Sequence, residues 1–557
     1  MKKDIEKAVK STDYSLPFTD IEVTRTTDAK FGDFSTNVAL RLRSGLRLRG
    51  PSDSRRSSTT IKQLPQETAK ILTDSLRKQP YIQKLEVAGP GFINFFIKPG
   101  VWQKEVSSVL KTGDKFGSNS SGKGKKARVE FVSANPTGPL HFGNARGGPI
   151  GDALASILEF SGYKVVREYL HNDIGGQVDK LGESVLNVQK GAKLEDQEYK
   201  GEYVRELAKK IKAKDTKEAG KAAVDLLFAE IKEDCAKMGI SFDEYYPESE
   251  FISSGQTKLG IDHLREKGFI KEKDGALWFA PSDEFLKDWE TVVKKSDGNY
   301  TYFANDIAYH DLKFKDNPDL VIDVFGANHH GHVPRLQAVV KALGYDVSKF
   351  HVILYQWVRF KRGGELVKMS KRSGTFVTAR EVLDEVGRDA LRFFILMHDP
   401  NSHIDFDLEL AKQKSKENPV YYVQYAHARI CSILVKTNDE RPTTKAEKTV
   451  DYSLLTTVFE LELIKQISRL PELVEDITSS FAVHQLTTYA TKLANSFHRF
   501  YENCPVLLVT QPDGPVKGRV VGEKKDLMEA RIGLIMATKI ALESTLNLLG
   551  ISAPEKM

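Results

Sequence analysis

Residues 127–170 constrain the fold of this chain more than any other segment. Residues 127–132 have the pattern of a buried strand, and a loop rich in proline and glycine follows them. From about Ala145 apolar residues recur at helical spacing until Gly162, and residues 164–170 again carry a strand pattern. Strand, loop, helix and strand in this order form the repeating unit of a parallel nucleotide-binding sheet. The sequence therefore predicts an α/β fold with a Rossmann-like parallel sheet.

The rest of the chain divides into segments of different composition. Residues 1–117 carry both helix and strand patterns, which predict an α+β N-terminal domain. Residues 118–405 contain the parallel-sheet unit, with a charged, helical insertion at about 180–300. Residues 406–557 are almost entirely amphipathic helix and predict an all-α C-terminal helical bundle. The patterns place helices at 3–10 and 64–78 and strands at 84–88, 92–97, 320–325 and 351–356.

Positive charge is concentrated at the start of the chain. The 557 residues include 82 Lys and Arg against 76 Asp and Glu, whereas the first 125 include 23 against 13. Six arginines fall within residues 41–58, among serine, glycine and proline. Such a region permits a polyanionic partner such as nucleic acid, but a solvated basic surface or a plain polar loop produces the same pattern. Charge alone leaves both interpretations open.

Cysteine content and hydropathy bear on the compartment. Cys235, Cys431 and Cys504 are far apart in the sequence, so no zinc knuckle, redox pair or disulfide framework is indicated. The start of the chain lacks the apolar core of a signal peptide, and no apolar run approaches the ~18 residues of a membrane span. We therefore expect a cytoplasmic protein with no membrane partner.

The loop after the first predicted strand has the residues of a phosphate-binding turn. It reads Ser133-Ala-Asn-Pro-Thr-Gly-Pro-Leu-His-Phe-Gly-Asn-Ala-Arg-Gly147 and ends where a helix begins. Gly143 permits close approach of the backbone, and a helix N-terminus favours phosphate oxygens. His141 and Asn144, three residues apart, can both donate hydrogen bonds to a phosphate. A histidine that only completes the turn fits this pattern as well.

A second segment carries cations after a predicted hairpin with a Gly363-Gly364 turn. It reads Val367-Lys-Met-Ser-Lys-Arg-Ser-Gly374 and contains Lys368 and Lys371. A mobile loop of this kind can bring ammonium groups onto phosphates as charge develops in a transition state. The alternative is an ordinary basic hairpin tip. The two segments begin and end one α/β unit, and together they indicate a single site more strongly than either does alone.

In these two segments the chain resembles the class I aminoacyl-tRNA synthetases, whose signatures are H-I-G-H and K-M-S-K-S. His141-Phe-Gly-Asn144 and Lys368-Met-Ser-Lys-Arg372 are similar to those signatures. Among these enzymes the chain is most similar to the arginyl-tRNA synthetases of the bacterial type, and the resemblance covers its whole length. It is carried further by residues 32–37, 129–141, 389–392, 424–429 and 549–557.

The resemblance implies a two-step reaction. Arginine and ATP would give arginyl-adenylate and pyrophosphate, and the arginyl group would then pass to the 2′-hydroxyl of the terminal adenosine of tRNA(Arg). His141 and Asn144 would hold phosphate oxygens on one side, and Lys371 with Lys368 would close from the other. The further residues implied in ATP binding are Gly143, Gly326, His329, Met369 and Ser370. Magnesium would accompany ATP, and no protein-bound zinc is expected.

The arginine pocket implied by the resemblance combines carboxylates with polar partners. A guanidinium group is a fixed fork of donors, so its recognition needs acceptors. Asp306 and Tyr302 would face the guanidinium. Glu130 and Asn135 would hold the α-amino end or share the fork, and Ser133 is a further member of the set. On the residues alone, Glu130 fits a carboxylate paired with a basic neighbour, and Asp306 fits a helix cap.

Three histidines within residues 326–333 suggest a metal site at first. No cysteine or carboxylate completes a set at zinc spacing, however. The turn-rich context after a predicted strand fits the adenosine end of ATP better, and Gly326 and His329 are placed there for that reason.

The chain departs from the family pattern at one catalytic position. Asn144 stands where the family has its second histidine, so an amide donor remains but a titrating imidazole does not. Tyr425 and the terminal Met557 are implied as anticodon contacts, although aromatic residues at helical spacing also fit a core. The alternatives are another class I synthetase, a small-molecule adenylyltransferase and a catalytically inactive tRNA-binding paralogue. The expected partners are tRNA(Arg), L-arginine and ATP, and the expected assembly is a monomer.

Overall fold

The computed structural model describes most of the chain. The described residues are 1–11, 14–15, 21–41, 47–48, 65–281, 290–366, 377–440, 450–506 and 518–557. Most of the arginine-rich stretch at 41–58 lies outside them, as does the whole predicted lysine loop at 368–372. The predictions made for Lys368, Met369, Ser370 and Lys371 therefore concern residues that are not described.

The chain forms two compact units. The first unit consists of Met1–Gly113, Lys436–Glu472 and Ser496–Thr538. The second unit consists of Asp114–Val435, Leu473–Asn495 and Lys539–Met557. Residues of the predicted C-terminal bundle thus occur in both units. The three domain boundaries expected from composition stay a prediction.

A five-stranded parallel sheet lies in the second unit. Its strands in chain order are β1 (Lys126–Phe131), β2 (Lys164–His171), β3 (Glu244–Pro247), β4 (Leu320–Gly326) and β5 (Phe350–Tyr355). The spatial order is β5-β4-β1-β2-β3, and every neighbouring pair is parallel. The predicted Rossmann-like sheet is confirmed, together with the strands expected at 127–132, 164–170, 320–325 and 351–356.

The order of the strands creates a switch point between β1 and β4. The strand that follows β1 in sequence, β2, pairs on one side of β1, whereas β4 pairs on the other. In open parallel sheets of this kind a crevice forms outside the carboxyl ends of the two strands at such a point, and ligands bind there. In the register of β1 and β4, Glu130 lies directly opposite Asp323, so two acidic residues meet beside that crevice.

Two consecutive helices follow β1, namely α1 (Phe142–Ala145) and α2 (Gly147–Phe160). Helix α2 packs closely on the sheet because Gly151 has no side chain. A Cβ atom at Gly151 would lie only 2.2 Å from the Phe131 ring. A third helix, α3 (Tyr302–Lys315), precedes β4 and packs on the same sheet through Tyr309 and His310, which are buried.

The remaining elements of the second unit are mostly helical. The helices that lie entirely within it are Gly176–Gln189, Glu202–Lys210, Thr216–Lys237, Glu248–Ser253, Gln256–Glu266, Val333–Leu343, Ala379–Val386, Arg388–Leu396 and Leu408–Lys412. A small sheet joins Val358–Arg362 to Glu365–Leu366 and to Ile404–Asp407. Its hairpin turns at Gly363 and Gly364, both with positive φ, as predicted from that pair.

The end of the predicted helical insertion is a sheet instead. Ile270–Lys273, Ala276–Phe279 and Thr291–Lys294 form three antiparallel strands. The first two are joined by Asp274 and Gly275, whose φ angles of 53° and 73° are those of a tight hairpin turn. An Asp-Gly pair between strand-like runs predicts such a hairpin, so the expectation of helix as far as residue 300 was wrong there.

The first unit contains a four-stranded antiparallel sheet. Its strands pair in the spatial order Val23–Arg25, Phe34–Thr36, Phe92–Ile97 and Ile82–Ala88. The helices that lie entirely in this unit are Lys2–Lys10, Val38–Arg41, Pro65–Leu76, Pro99–Thr112 and Val458–Ile467. The helices predicted at 3–10 and 64–78 and the strands at 84–88 and 92–97 are thus confirmed. A further strand pair joins Tyr14–Ser15 to Arg47–Leu48.

Four helices near the end of the chain have residues in both units. They are Pro419–Glu440, Leu470–Ser480, His484–Asn503 and Gly518–Leu548. The predicted helical character of residues 406–557 is therefore confirmed for the described residues. Within these described ranges, no helix combines the length and the apolar character needed to cross a membrane.

Candidate active site

A cavity of about 860 Å³ opens at the carboxyl end of the parallel sheet. Residues that follow β1, β4 and β5 line it, which is where the switch point predicts a ligand. The predicted residues on its wall are Asn135, His141, Gly143, Asn144 and Gly326. Residues 196–201 and Tyr203, from the segment after helix Gly176–Gln189, form another part of the wall.

His141 caps helix α1 with its side chain. Its Nδ1 accepts a hydrogen bond of 2.8 Å from the backbone N–H of Gly143. A Cβ atom at Gly143 would lie 2.9 Å from that nitrogen, so the cap requires glycine there. Because Nδ1 accepts, the ring proton of a neutral His141 resides on Nε2. The histidine thus completes the turn, as one interpretation expected, and also carries an N–H donor on the cavity wall.

The backbone is strained where β1 ends. Val132 and Ser133 have φ angles of 67° and 36°, in the region that disfavours side chains. Tyr169 of β2 holds this bend, since its hydroxyl accepts from the backbone N–H of Ala134 and donates to the carbonyl of the same residue. Ser133 Oγ accepts from the backbone N–H of Leu170 at 3.2 Å. The bend directs the chain from the sheet into the loop that carries Asn135 and His141.

Four ionisable side chains form a buried cluster below the switch point. Lys313 Nζ of α3 lies 2.5 Å from Glu130 Oε2 and 2.5 Å from Asp323 Oδ1. His310 Nε2 lies 3.2 Å from the other oxygen of Asp323. Burial alone would lower the pKa of Lys313, but the carboxylates of Asp323, Glu130 and Glu168 outweigh it and raise that pKa. Lys313 is therefore a permanent cation between two acidic strands.

The Glu130 side chain is buried in this cluster and is paired with Lys313. Only 2% of the residue is exposed, and Lys313 donates a hydrogen bond to its carboxylate. Burial raises the pKa of Glu130, against the attraction of Lys313. This pairing with a basic neighbour is the arrangement that the residues alone suggested. The assignment of Glu130 to the arginine pocket stays a prediction.

Tyr302 and Asp306 lie on the first turns of α3. Tyr302 is 47% exposed, and Asp306 Oδ2 accepts a hydrogen bond of 3.0 Å from His332 Nε2. The N-cap of α3 is Thr301, so Asp306 lies inside the helix and the alternative that it caps a helix was wrong. Asp306 also acts on Glu248: burial, and then the nearby Asp306 carboxylate, raise the pKa of Glu248 to about 8.

The structure separates the predicted site residues into groups. Asn135, His141, Gly143, Asn144 and Gly326 share the cavity wall, whereas Tyr302, Asp306 and His329 are not part of that wall. His329 packs its ring against Phe325 at 5.4 Å. On the helix Pro419–Glu440, Tyr425 is 38% exposed and stacks parallel to Tyr421, with Arg429 over its ring at 5.5 Å. Met557 is 52% exposed.

Sequence reasoning missed several residues that shape the site. Arg146 is buried and donates to the backbone carbonyl oxygens of Gln356 and Asp399 at 2.5 and 3.1 Å, which ties the start of α2 to the loop after β5. Burial lowers the pKa of Arg146 to about 10. Tyr203 donates to the carbonyl of Thr137 at 2.9 Å. The roles of Arg146 and Tyr203 follow from the residues with which they form hydrogen bonds, and these residues are distant from them in the sequence.

Three family descriptions match successive parts of the chain. Residues 1–97 match the arginyl tRNA synthetase N terminal domain, and residues 105–404 match the catalytic domain of the class I tRNA synthetases (R). Residues 423–557 match the DALR anticodon binding domain.

Relatives resemble the chain over nearly its full length. The arginine–tRNA ligase of Geobacter sp. (strain M21) is 43% identical, and the match covers 96% of this chain and 95% of that protein. That of Oleidesulfovibrio alaskensis is 41% identical over the whole of both chains. The fold also resembles that of Thermus thermophilus arginyl-tRNA synthetase, with a TM-score of 0.77 at 21% identity over the whole of both chains. The chain is a member of the arginyl-tRNA synthetase family of class I aminoacyl-tRNA synthetases.

Proposed function

We propose that this chain is an arginine–tRNA ligase. It activates arginine with ATP and esterifies the terminal adenosine of tRNA(Arg). The observation that carries the proposal is the cavity at the switch point, with His141, Gly143 and Asn144 on its wall, in a chain that belongs to this family.

In the first step an oxygen of the arginine carboxylate attacks the α-phosphorus of ATP. A new P–O bond forms, the bond to the β-phosphate bridging oxygen breaks, and pyrophosphate leaves. The protein is asked mainly to position the reactants and to stabilise growing negative charge on the phosphates. We assign that role to the Nε2–H of His141 and the amide of Asn144, which share the cavity wall. Lys371 and Lys368 are proposed to act from the other side.

In the second step the 2′-hydroxyl of the terminal adenosine attacks the carbonyl carbon of arginyl-adenylate. The ester bond forms, the bond from the carbonyl carbon to the phosphate oxygen breaks so that AMP leaves with the bonding electrons, and the hydroxyl proton passes to the departing phosphate. The same phosphate donors stabilise the AMP leaving group. Because the same donors can stabilise phosphate charge in both steps, we propose one site for both.

Arginine recognition rests on the charge and shape of the guanidinium. Asp306 is proposed to accept from it, because one of its oxygens has no hydrogen bond among the described residues. Tyr302, which is half exposed on the same helix, is proposed to pack against it. Asn135 is proposed to hold the α-amino end, and Glu130 and Ser133 to complete the pocket at the end of β1.

The ATP site extends along the cavity from α1. We place the triphosphate near Gly143 and the adenosine end near Gly326 and His329, with Met369 and Ser370 closing over it. Magnesium is proposed to accompany ATP on the phosphate oxygens. Among the described residues no group of three or more His, Cys, Asp or Glu side chains could hold a metal ion, so the phosphate oxygens would supply most of its ligands. The ion neutralises phosphate charge when bound.

The remaining parts of the chain are proposed to bind tRNA. We propose that residues 1–117 form a tRNA-binding domain, residues 118–405 the catalytic domain and residues 406–557 the anticodon-binding domain. Tyr425 and Met557 are exposed and are proposed to contact the anticodon. We propose further that the enzyme is a monomer and acts in the cytoplasm, where tRNA is charged.

The experiment that tests this function is arginine-dependent exchange of pyrophosphate into ATP, with and without homologous tRNA. Exchange that requires arginine and is not supported by lysine is the expected result. Exchange only when tRNA is present would show that RNA completes the active site. If a folded protein that binds tRNA gives no exchange, the activity is refuted and the inactive paralogue is favoured, with Asn144→His as the reversion to examine.

A further inference from the structure

Of the three histidines within residues 326–333, only His329 belongs to the proposed ATP site, and His332 has a contact of a different kind. His332 is the N-cap residue of the helix Val333–Leu343, and its side chain reaches α3 rather than its own helix. Its Nε2 lies 3.0 Å from Asp306 Oδ2, and the two side chains are 26% and 21% exposed. His332 therefore contacts the carboxylate to which we assign the guanidinium of arginine.

The contact fixes how Asp306 is presented. The imidazole ring also packs edge-on against Phe303, with centroids 6.0 Å apart, so both partners of the hydrogen bond are held in place. Nε2 donates to one carboxylate oxygen, which leaves Oδ1 as the oxygen without a hydrogen bond among the described residues. A guanidinium approaching Asp306 can bind that second oxygen without breaking the first bond.

The charge on the imidazole matters because arginine is always a cation. Neutral and protonated imidazole both carry an Nε2–H, so the hydrogen bond persists in either state. Only the protonated ring places a positive charge beside the guanidinium, and like charges at short range oppose binding. The charged and titratable groups around His332 are Asp306 on α3, Asp323 on β4, Arg335 on its own helix and His329 in the preceding turn.

The electrostatic surroundings favour the protonated form of His332. Burial lowers the pKa of His332, but the hydrogen bond and the charge of Asp306 outweigh it and raise that pKa above its ordinary value of 6.5. Glu248 is a second titrating group that faces Asp306, with a pKa of about 8. Ionised Glu248 would attract arginine, so any test must separate the two groups.

We propose that His332 is a positioning residue of the arginine site, which orients Asp306 and weakens arginine binding when its imidazole is protonated. This inference rests on the proposed function. By linkage, arginine binding must then expel the proton from His332, and affinity must fall as pH falls through the pKa of that group. A tenfold fall corresponds to a decrease of about one unit in the pKa of His332 when arginine binds.

The test is calorimetric binding of arginine to the full chain between pH 6 and 8.5. Wild type, His332→Gln, His332→Ala and Glu248→Gln are compared, each in two buffers of different ionisation enthalpy. We expect the wild-type affinity to fall about tenfold from pH 8 to pH 6, with a proton released on binding. Glutamine keeps a neutral donor, so His332→Gln should bind as wild type does at pH 8 and lose most of the pH dependence. His332→Ala should bind more weakly throughout.

The Glu248→Gln variant separates the two titrating groups. It should retain the pH dependence of the wild type if His332 is responsible, and should lose it if Glu248 is. A His332→Gln variant with unchanged pH dependence would overturn the inference. If that variant does not fold, proton release by Glu248→Gln decides: release on arginine binding is expected, and its absence would overturn the inference. If wild type binds no arginine at any pH, even with tRNA(Arg) present, the proposed function itself fails.

Discussion

The pairing of charges below the switch point decides what each carboxylate can do. Glu130 and Asp323 face each other across β1 and β4, and Lys313 bridges them at 2.5 Å from each. A bridging cation offsets the cost of burying two acids, which would otherwise be several kcal/mol for each ion. Asp306, about two turns before Lys313 on α3, is more exposed, and one of its carboxylate oxygens has no hydrogen bond among the described residues. The two acids at the strand ends are therefore already paired with Lys313, whereas Asp306 keeps an oxygen that a cationic ligand could bind.

Removal of the bridging cation should be costly. Lys313→Met would leave two buried carboxylates without the cation they share, and we expect the free energy of unfolding to fall by about 3–5 kcal/mol. Urea unfolding at pH 7 measures this. The control is Lys315→Met on the same helix, whose exposed side chain should change stability by no more than about 0.5 kcal/mol. Equal effects of the two substitutions would contradict the role of the buried cation.

Glu248 should make stability depend on pH. Its pKa is 4.5 in an ordinary setting and about 8 in the fold, so between these values the native state holds a proton that the unfolded state has released. Stability from this group is therefore highest at low pH and falls as pH rises from 4.5 to 8. Glu248→Gln should remove that fall, and Glu250→Gln, at an exposed position, should not. Urea unfolding at pH 5, 7 and 8.5 distinguishes them.

Among the elements, those with strong local signals are the ones that sequence predicts. The strand pattern of β1 and the Gly363-Gly364 turn can be recognised from neighbouring residues alone, and both form as expected. The strands of the first unit at Val23–Arg25 and Phe34–Thr36 are only three residues long and give too short a pattern. Asp274 and Gly275 are a different case. This pair is a local signal for a hairpin turn, but it lies within a charged segment whose composition favours helix.

The same distinction holds for the candidate site. Residues 133–147 carry their own turn and glycine signals, and several of them line the cavity. Residues 196–201 line it as well, but nothing in their sequence indicates this, since long-range packing places them there. Lys313 and His332 acquire their roles from carboxylates on other elements. Turn and glycine signals between neighbouring residues can be recognised in the sequence. Ion pairs between residues of different elements can be identified only once the fold is known.

The packing of α2 on the sheet yields a prediction about Gly151. A Cβ atom there would meet the Phe131 ring at 2.2–2.6 Å, so Gly151→Ala must displace a buried side chain or the helix. Overpacking should cost about 1–3 kcal/mol, which exceeds the roughly 1 kcal/mol gained from helix propensity. The control, Gly176→Ala, has nothing within 4 Å of the new atom and should be neutral or stabilising. Thermal unfolding of both variants tests this, and a stabilised Gly151→Ala would refute the close packing.

Over the whole molecule, one chain combines a nucleotide cavity with a large helical part. Family descriptions cover residues 1–97, 105–404 and 423–557 in succession. The helical part adds exposed aromatic surface, in which Tyr421, Tyr425 and Arg429 are stacked. Such a stack is preordered and can receive an unpaired base with little loss of side-chain freedom.

Tyr425 should therefore matter for RNA and not for arginine. We expect Tyr425→Ala to weaken tRNA(Arg) binding by about 1–3 kcal/mol, the usual worth of a base stack, and to leave arginine binding unchanged. Tyr425→Phe keeps the ring and should bind tRNA as wild type does. Filter binding of tRNA and calorimetry with arginine give the two readings. A Tyr425→Ala variant with normal tRNA affinity would remove this residue from the RNA surface.

The proposal that this chain joins arginine to tRNA(Arg), with Asp306 in its arginine pocket, is tested most directly by transfer of radioactive arginine to tRNA. Wild type and Asp306→Asn are compared. We predict that wild type charges tRNA(Arg) with arginine and not with lysine, because a lysine side chain would leave buried acceptors unpaired. Asp306→Asn should reduce kcat/KM for arginine by about ten- to a hundredfold, the effect of losing a hydrogen bond to a charged group. Absence of charging by a folded wild type, or an unaltered kcat/KM in the variant, would contradict the account.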